Sequence, residues 1–207
     1  MDKYLRQVID RYNYIGKTGL YDTLMSTLLL GKDINIRKEV INENTIESGD
    51  YILDAGSGTG RNISLIGDIV GDEGKIDAYD VSSGMLEYGR ARYENYRNCN
   101  VYNEDVMSIE ETNKYDVVLA SLIFSVYPYP EMLKRHFKKI IKPNGKIIVL
   151  EATVPSDASV IMKGLLSFEE WIAAANLQLD LDKIFSEFEV EKYRRRAIYI
   201  DCICMTT

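Results

Sequence analysis

"YILDAGSGTGRN", residues 51–62, opens with strand-forming residues, ends that run on an acid, Asp54, and then sets glycines at positions 56, 58 and 60. Glycine carries no Cβ, so a loop rich in it can turn tightly and let a ligand touch the backbone. The stretch therefore reads as a buried strand, a ligand-binding loop and the start of a helix. Further strand-like runs follow at 75–80 (KIDAYD), 100–104 (NVYNE), 115–121 (YDVVLAS) and 145–152 (GKIIVLEA), with helix-length amphipathic segments at 60–70, 83–96 and 130–141. Nearly continuous apolar strands alternating with helices predict a doubly wound α/β fold around a mostly parallel sheet covered on both faces.

The flanks break this rhythm. In residues 1–48, "DKYLRQVIDRYNYI" and "YDTLMSTLLLGKDINIRKEVI" space apolar residues by three and four, predicting a helical cover or lead-in to the 49–152 core. Residues 153–207 are expected to hold a helix near 167–185, opened by Ser167-x-x-Glu170, and then a terminal antiparallel hairpin in "FEVEKYRRRAIYIDCICMTT". No linker or repeat divides the chain, so 1–207 is read as one domain.

Composition narrows the function classes. A formal net charge of −7 disfavours a broad nucleic-acid surface, whose affinity rests on neutralising phosphates. The local basic runs "KRHFKK" (134–139) and "RRR" (194–196) allow at most peripheral contact with a membrane. No apolar run approaches the roughly 18–20 residues of a membrane span, and "MDKYLRQVID" lacks a signal-peptide core, so a cytoplasmic location is expected. Cys99, Cys202 and Cys204 have no CxxC spacing and read as small buried residues rather than metal ligands.

The loop pattern selects among ligands. Gly56-x-Gly58-x-Gly60 departs from the G-x-G-x-x-G dinucleotide fingerprint, and no G-x-x-x-x-G-K-[ST] phosphate loop is present. Asp54 would repel phosphate but attract an ammonium or sulfonium. Asp80, twenty residues beyond Gly60, can accept both hydroxyls of an unphosphorylated ribose, and Asp105 lies where it could meet an adenine amino group. The preferred ligand is a positively charged nucleoside.

D-x-G-x-G-x-G, the acids closing the next two strands and "NKYDVVLAS…IIKPNGKIIVLE" together resemble the class I S-adenosylmethionine-dependent methyltransferases over about residues 40–152. That resemblance implies a seven-stranded sheet of order 3-2-1-4-5-7-6 with strand 7 antiparallel. It implies S-adenosylmethionine as cofactor, S-adenosylhomocysteine as product, and no metal. By the same resemblance Gly56, Ser57, Gly58 and Gly60 would wrap the methionine part, with Asp54 orienting its amino group directly or through water. Asp80 would hold the ribose, Val81 and Met85 would flank adenine, Asp105 and Val106 would read the base's edge, and Ser121 would face the sulfonium.

The acceptor is less defined. No N/D-P-P-Y follows the fourth strand; "ASLIFSVYPYP" stands there, and Phe124, Tyr127 and Tyr129 are read either as an apolar acceptor pocket or as packing. His136, the lone histidine, falls on a flanking helix and is not expected to be catalytic. The Tyr21-Asp22 lead-in is similar to that of quinone-biosynthesis C-methyltransferases and of bacterial phospholipid N-methyltransferases. Tyr21, with Tyr14 nearby, is expected to orient an acceptor hydroxyl or stabilise developing charge, or else to staple the cover. The reading is methylation of a small or lipid-like acceptor, at a quinol carbon or an amine or hydroxyl group. Methylation of RNA or protein, and a non-catalytic S-adenosylmethionine-binding regulator, are the alternatives.

Overall fold

In a computed structural model, the structure describes residues 3–29, 31–41, 46–152, 164, 175–187, 190–195 and 200–206. Strands β1 (Tyr51–Ala55), β2 (Lys75–Tyr79), β3 (Cys99–Tyr102), β4 (Tyr115–Ser121) and β5 (Ile141–Ala152) pair in parallel. Strand β6 (Val190–Arg195) and strand β7 (Ile200–Thr206) complete a sheet of order β3-β2-β1-β4-β5-β7-β6, in which β7 runs antiparallel to both neighbours. This is the doubly wound arrangement with the inserted hairpin that the sequence led us to expect. Strand β5 begins earlier than expected: Tyr115 pairs with Ile141 before the register jumps to Val117 with Lys146.

The two-residue period of a strand divides the core. Ile52, Val117, Leu119, Ile148 and Leu150 face one side and pack with Ile63, Ile66 and Val70 of helix α4 (Ile63–Val70). Leu53, Ala55, Val118, Ala120, Ile147 and Val149 face the other and meet Leu133, Phe137 and Ile140 of helix α6 (Pro130–Ile140). Those α6 residues recur at four and three positions, and Pro130 occupies the first turn, where its missing N–H costs nothing. Helix α5 (Ser83–Glu94) is started by Ser82, whose Oγ accepts from the Met85 N–H at 3.2 Å. Of the helix expected near 167–185, residues 165–174 lie outside the described residues and 175–180 form a turn and irregular chain instead, so only a short separate helix α7 (Leu181–Ile184), capped by Asp180, is present there.

The N-terminal segment forms helices α1 (Lys3–Lys17), α2 (Leu20–Leu28) and α3 (Asp33–Val40). Met25, Leu29, Ile36 and Val40 belong to the same core as α4. Helix α1 lies on α5 at close range: a Cβ on Gly16 would stand 2.7 Å from the Met85 backbone nitrogen. Beside that contact the Asn13 side-chain oxygen accepts from Ser82 Oγ at 3.0 Å and from the Gly84 N–H at 3.0 Å. Among the described residues no helix is long and apolar enough to cross a membrane.

Gly16→Ala has no room and must push α1 off α5. We expect it to lower stability by about 1–3 kcal/mol in urea unfolding, the usual cost of overpacking, and to speed proteolytic cleavage within residues 3–17.

Candidate active site

Parallel pairing sets Asp54 opposite Ala78, and Ala55 opposite both Tyr79 and Ala120, so the segments leaving β1, β2 and β4 emerge on one edge of the sheet. Strand β1 has β2 on one side and β4 on the other; connections diverge there and leave a crevice. Gly56 and Ser57 both donate their N–H to the Tyr79 carbonyl at 2.9 Å. Gly56, Gly58 and Gly60 take φ of +69°, +58° and +74°, a backbone that side chains resist, which explains glycine at every second position.

Beside this loop is a cleft that is partly open to solvent. Gly56, Gly58, Asp80, Val81, Met85, Asp105, Val106 and Ser121 line it, as does Tyr21 from α2, while Leu5, Val8, Ile9 and Tyr12 bring the inner face of α1 across it. The Asp80 carboxylate accepts from the Gly58 N–H at 2.8 Å and the Ser82 N–H at 2.7 Å. Asp105 lies three residues past β3 rather than at its end, and its Oδ1 accepts from the Met107 N–H at 3.0 Å. Asp54 is wholly buried and is not part of the cleft lining; its Oδ1 accepts from Asn62 Nδ2 at 2.9 Å, and its Oδ2 has no partner.

These acids fit a cationic nucleoside. Burial pushes Asp54 and Asp80 each up to about 6, and an unpaired carboxylate oxygen away from water is costly. A bound ammonium would supply the missing donor and reverse the burial effect. The remaining lone pairs of Asp80 suit hydroxyl donors, and the apolar Val81 and Met85 suit a base.

Several expected residues stand elsewhere. Ser57 and Gly60 lie behind the cleft, gripped by Tyr93: its hydroxyl donates to Ser57 Oγ at 3.0 Å or the Gly58 carbonyl at 2.9 Å, and a Cβ on Gly60 would meet its ring at 3.1 Å. Tyr14 is 70% exposed on the outer face of α1 and lines neither this cleft nor its neighbour. Phe124 is core, packed edge-on against Phe137 and Phe185. Tyr129 is exposed. Tyr127 does line the cleft, but its hydroxyl points to Asp105 Oδ2 at 3.4 Å. His136 is buried and its Nε2 donates to the Val106 carbonyl at 2.9 Å, which supports the turn carrying Val106.

A second cavity adjoins the first and is largely apolar, with Ile15, Leu24, Met25, Ala152, Ala175 and Leu177 in its walls. Tyr12, Tyr21, Leu122 and Val126 line both. Leu122, directly after β4, has φ +58°, an uncommon conformation for a side-chain-bearing residue and the kind of strain found at binding sites. Burial pushes the Tyr21 hydroxyl up to about 12, so it stays protonated and can donate.

The sequence reading missed the polar side chains that bolt the N-terminal helices to the loop. Asp22 accepts from Thr59 Oγ1 at 2.7 Å and pairs with Arg92 at 2.6 Å and Arg61 at 3.3 Å. Asp33 pairs with Arg61 at 2.6 Å and Arg37 at 3.0 Å. Asp33 and Arg37 stand at the i,i+4 spacing of a helix and could have been read locally, but the other partners are up to 70 residues apart in the chain and no local spacing announces them. Glu151 was also missed; it is wholly buried in β5, Oε2 accepts from the Ser125 N–H at 2.7 Å, and Oε1 has no partner. It thereby holds the segment after β4 that lines both cavities. Among the described residues, no group of three or more His, Cys, Asp or Glu side chains is placed to hold a metal.

A family model described as a methyltransferase domain matches residues 52–145. A demethylmenaquinone methyltransferase of Staphylococcus saprophyticus is 29% identical over 153 residues, 72% of this chain and 64% of that protein. One of Symbiobacterium thermophilum is 27% identical over 159 residues, 74% of this chain and 61% of that protein. The chain thus spans less than two thirds of these relatives' length. A solved S-adenosylmethionine-dependent methyltransferase from Aquifex aeolicus shares the fold with a TM-score of 0.63 at 19% identity, over 82% of this chain and 88% of that one.

Burial pushes Glu151 from its ordinary 4.5 up to about 8. The native protein therefore keeps a proton that the unfolded chain has already released, and stability is lost as pH rises toward 8. We expect the unfolding free energy of the ligand-free protein, read from urea titrations, to fall between pH 6.5 and 8 by up to about 1.4 kcal/mol per pH unit, and Glu151→Gln to flatten that slope.

Proposed function

We propose that this protein is an enzyme that transfers the methyl group of S-adenosylmethionine to a small, lipid-like acceptor, with a quinol ring as the favoured class; the methyltransferase-domain model that matches residues 52–145 supports the reading. The observation that carries this reading is the apolar cavity opening beside the donor cleft, with Tyr21 at the junction of the two. An amine or a charged polymer would find few partners there. The demethylmenaquinone methyltransferases among its relatives act on an acceptor of the favoured kind. A cytoplasmic location, with at most peripheral membrane contact, belongs to the same reading.

When bound, S-adenosylmethionine supplies an electrophilic methyl group on a sulfonium. The chain's own residues hold it. In this reading Asp80 accepts from the ribose hydroxyls, and Gly56 and Gly58 let the amino-acid part reach the backbone, with Ser57 and Gly60 shaping the turn from behind. Asp54 answers the ammonium from beneath the loop, directly or through a water. Val81 and Met85 flank the adenine, Asp105 and Val106 meet its edge, and Ser121 stands on the sulfonium side. Leu5, Val8, Ile9 and Tyr12 exclude water across the cleft. Much of the acceleration of a methyl transfer comes from alignment and from removing water, so no strong base is required.

Tyr21 takes the remaining role. Being protonated, it donates to an acceptor oxygen and so stabilises the oxyanion left when a quinol hydroxyl gives its proton to water. The charge of that oxyanion makes a ring carbon nucleophilic, and the ring hydrogen that the methyl group displaces also leaves as a proton to water. Its ring packs at 6.1 Å from Tyr12, which also lines both cavities.

Labelled methyl transfer to a short-chain demethylated quinol, phosphatidylethanolamine, small amines and RNA tests the assignment. Label on the quinol is the expected result; label only on RNA or an amine would replace it, and a failure to bind the donor would remove it. With the accepted substrate, Tyr21→Phe should cut kcat by roughly 10–100-fold, within the range for a positioned donor, and leave donor affinity within about twofold.

A further inference from the structure

Asp54 is the acid under the glycine loop, and Asn62, which holds it, is itself anchored by Arg37 from outside the methyltransferase domain match. Asn62 grips Asp54 Oδ1 through Nδ2 at 2.9 Å and reaches Ser121 Oγ at 3.2 Å with the same amide nitrogen. Its side-chain oxygen in turn accepts from Arg37 Nη1 of α3 at 2.7 Å. Arg37 is fixed behind by Asp33, whose Oδ1 takes the Arg37 Nε–H at 3.0 Å while Oδ2 takes the Arg61 Nε–H at 2.6 Å. Asp33, Arg37, Asn62 and Asp54 are exposed by 3%, 4%, 2% and 0%, so water does not screen this chain of contacts. An amide can serve both ends only in one orientation: oxygen toward the guanidinium, nitrogen toward the carboxylate.

Resting on the donor-binding reading above, we propose that Arg37, acting through Asn62, is a positioning residue for Asp54: it fixes which carboxylate oxygen is occupied, leaves Oδ2 for the donor's ammonium, and keeps the acid charged to receive it. The charged and titratable groups that act on Asp54 come from four directions. Arg37 of α3 favours its ionised form; Asp80 after β2 opposes it; Tyr93 of α5 and Cys99 of β3 stand near enough that Asp54 raises their own proton affinities. Arg37 is the cation among them. Burial already pushes Asp54 up to about 6, so removing the Arg37 charge moves it further upward and leaves a larger share protonated at neutral pH. A protonated carboxyl has lost the charge that an ammonium seeks. The segment before β1 would thereby set donor affinity as well as cover the cleft.

The test compares two nucleosides that share the adenosine but not the amino-acid part: S-adenosylhomocysteine, which carries the ammonium, and 5′-methylthioadenosine, which lacks it. Binding of each to the wild type, to Arg37→Gln and to the charge-balanced double variant Asp33→Asn/Arg37→Gln is measured by calorimetry from pH 5.5 to 8. The double variant removes both charges of the Arg37–Asp33 pair, and Arg61, which loses its 2.6 Å contact with the Asp33 carboxylate, keeps Asp22 at 3.3 Å. The expected result, in both variants, is a loss for S-adenosylhomocysteine that grows as pH falls, from about twofold at pH 7 to roughly eightfold at pH 5.5, as follows for a carboxyl near 6 whose proton affinity rises about tenfold. The pH at which its binding fades should move upward, while 5′-methylthioadenosine binding stays within twofold. Equal loss of both ligands would make Arg37 merely structural and overturn the proposal, as would an unchanged pH profile for S-adenosylhomocysteine. Failure of the wild type to bind either nucleoside would overturn the donor reading itself, and this inference with it.

Discussion

Parallel strands share one chain direction, and that constraint brings the chemistry of this protein to a single edge. Whatever follows β1, β2 and β4 must leave the sheet at its carboxyl end, and the reversal of strand order at β1 opens a crevice there. The glycine loop, Asp80 and Ser121 reach one cleft for that reason, although 65 residues of sequence separate Gly56 from Ser121. The sheet is covered on both faces by core, and the loop packs closely beside it: a Cβ on Gly58 would stand 3.2 Å from Met85 and one on Gly60 3.1 Å from Tyr93.

Electrostatics complicate that geometry. Asp54 and Glu151 are both wholly buried, and each keeps one oxygen without a partner. Buried ion pairs are weak contributors to stability because desolvation offsets their attraction, but breaking one strands a charge. The pairs joining Asp22 and Asp33 to Arg37, Arg61 and Arg92 therefore act chiefly as specificity devices: they admit one placement of the N-terminal helices on the loop.

The sheet was largely legible because its strands are nearly continuous apolar runs and its turns carry glycine or an acid where backbone geometry demands them. Asp80, directly after β2, was legible as an acid at a strand end, whereas Asp105 was expected to close β3 and lies three residues beyond it; Val81 and Met85 were implied only by the family resemblance. The terminal hairpin was legible from two β-rich runs without an intervening helix. The polar bolts were not, because Asp22 with Arg92, or Arg37 with Asn62, have no periodic relation. Tyr14 was misplaced although a signal existed: Leu5, Val8, Ile9 and Tyr12 recur at helical spacing and define the inner face, which leaves Tyr14 outside. Phe124 illustrates a true ambiguity, since an aromatic run after a strand supplies pocket wall and core alike and only the side of the chain decides.

The contact of α1 with α5 carries a consequence for how such a chain can diversify. A helix seated against backbone at Gly16, and pinned by Asn13 to the start of α5, has its phase fixed at one end while Leu5, Val8 and Ile9 farther along remain free to vary. Substitutions at those inward positions can re-contour the hollow without disturbing the seat. A chain built this way could change what its cleft admits through a few residues of α1 while the glycine loop opposite keeps its shape.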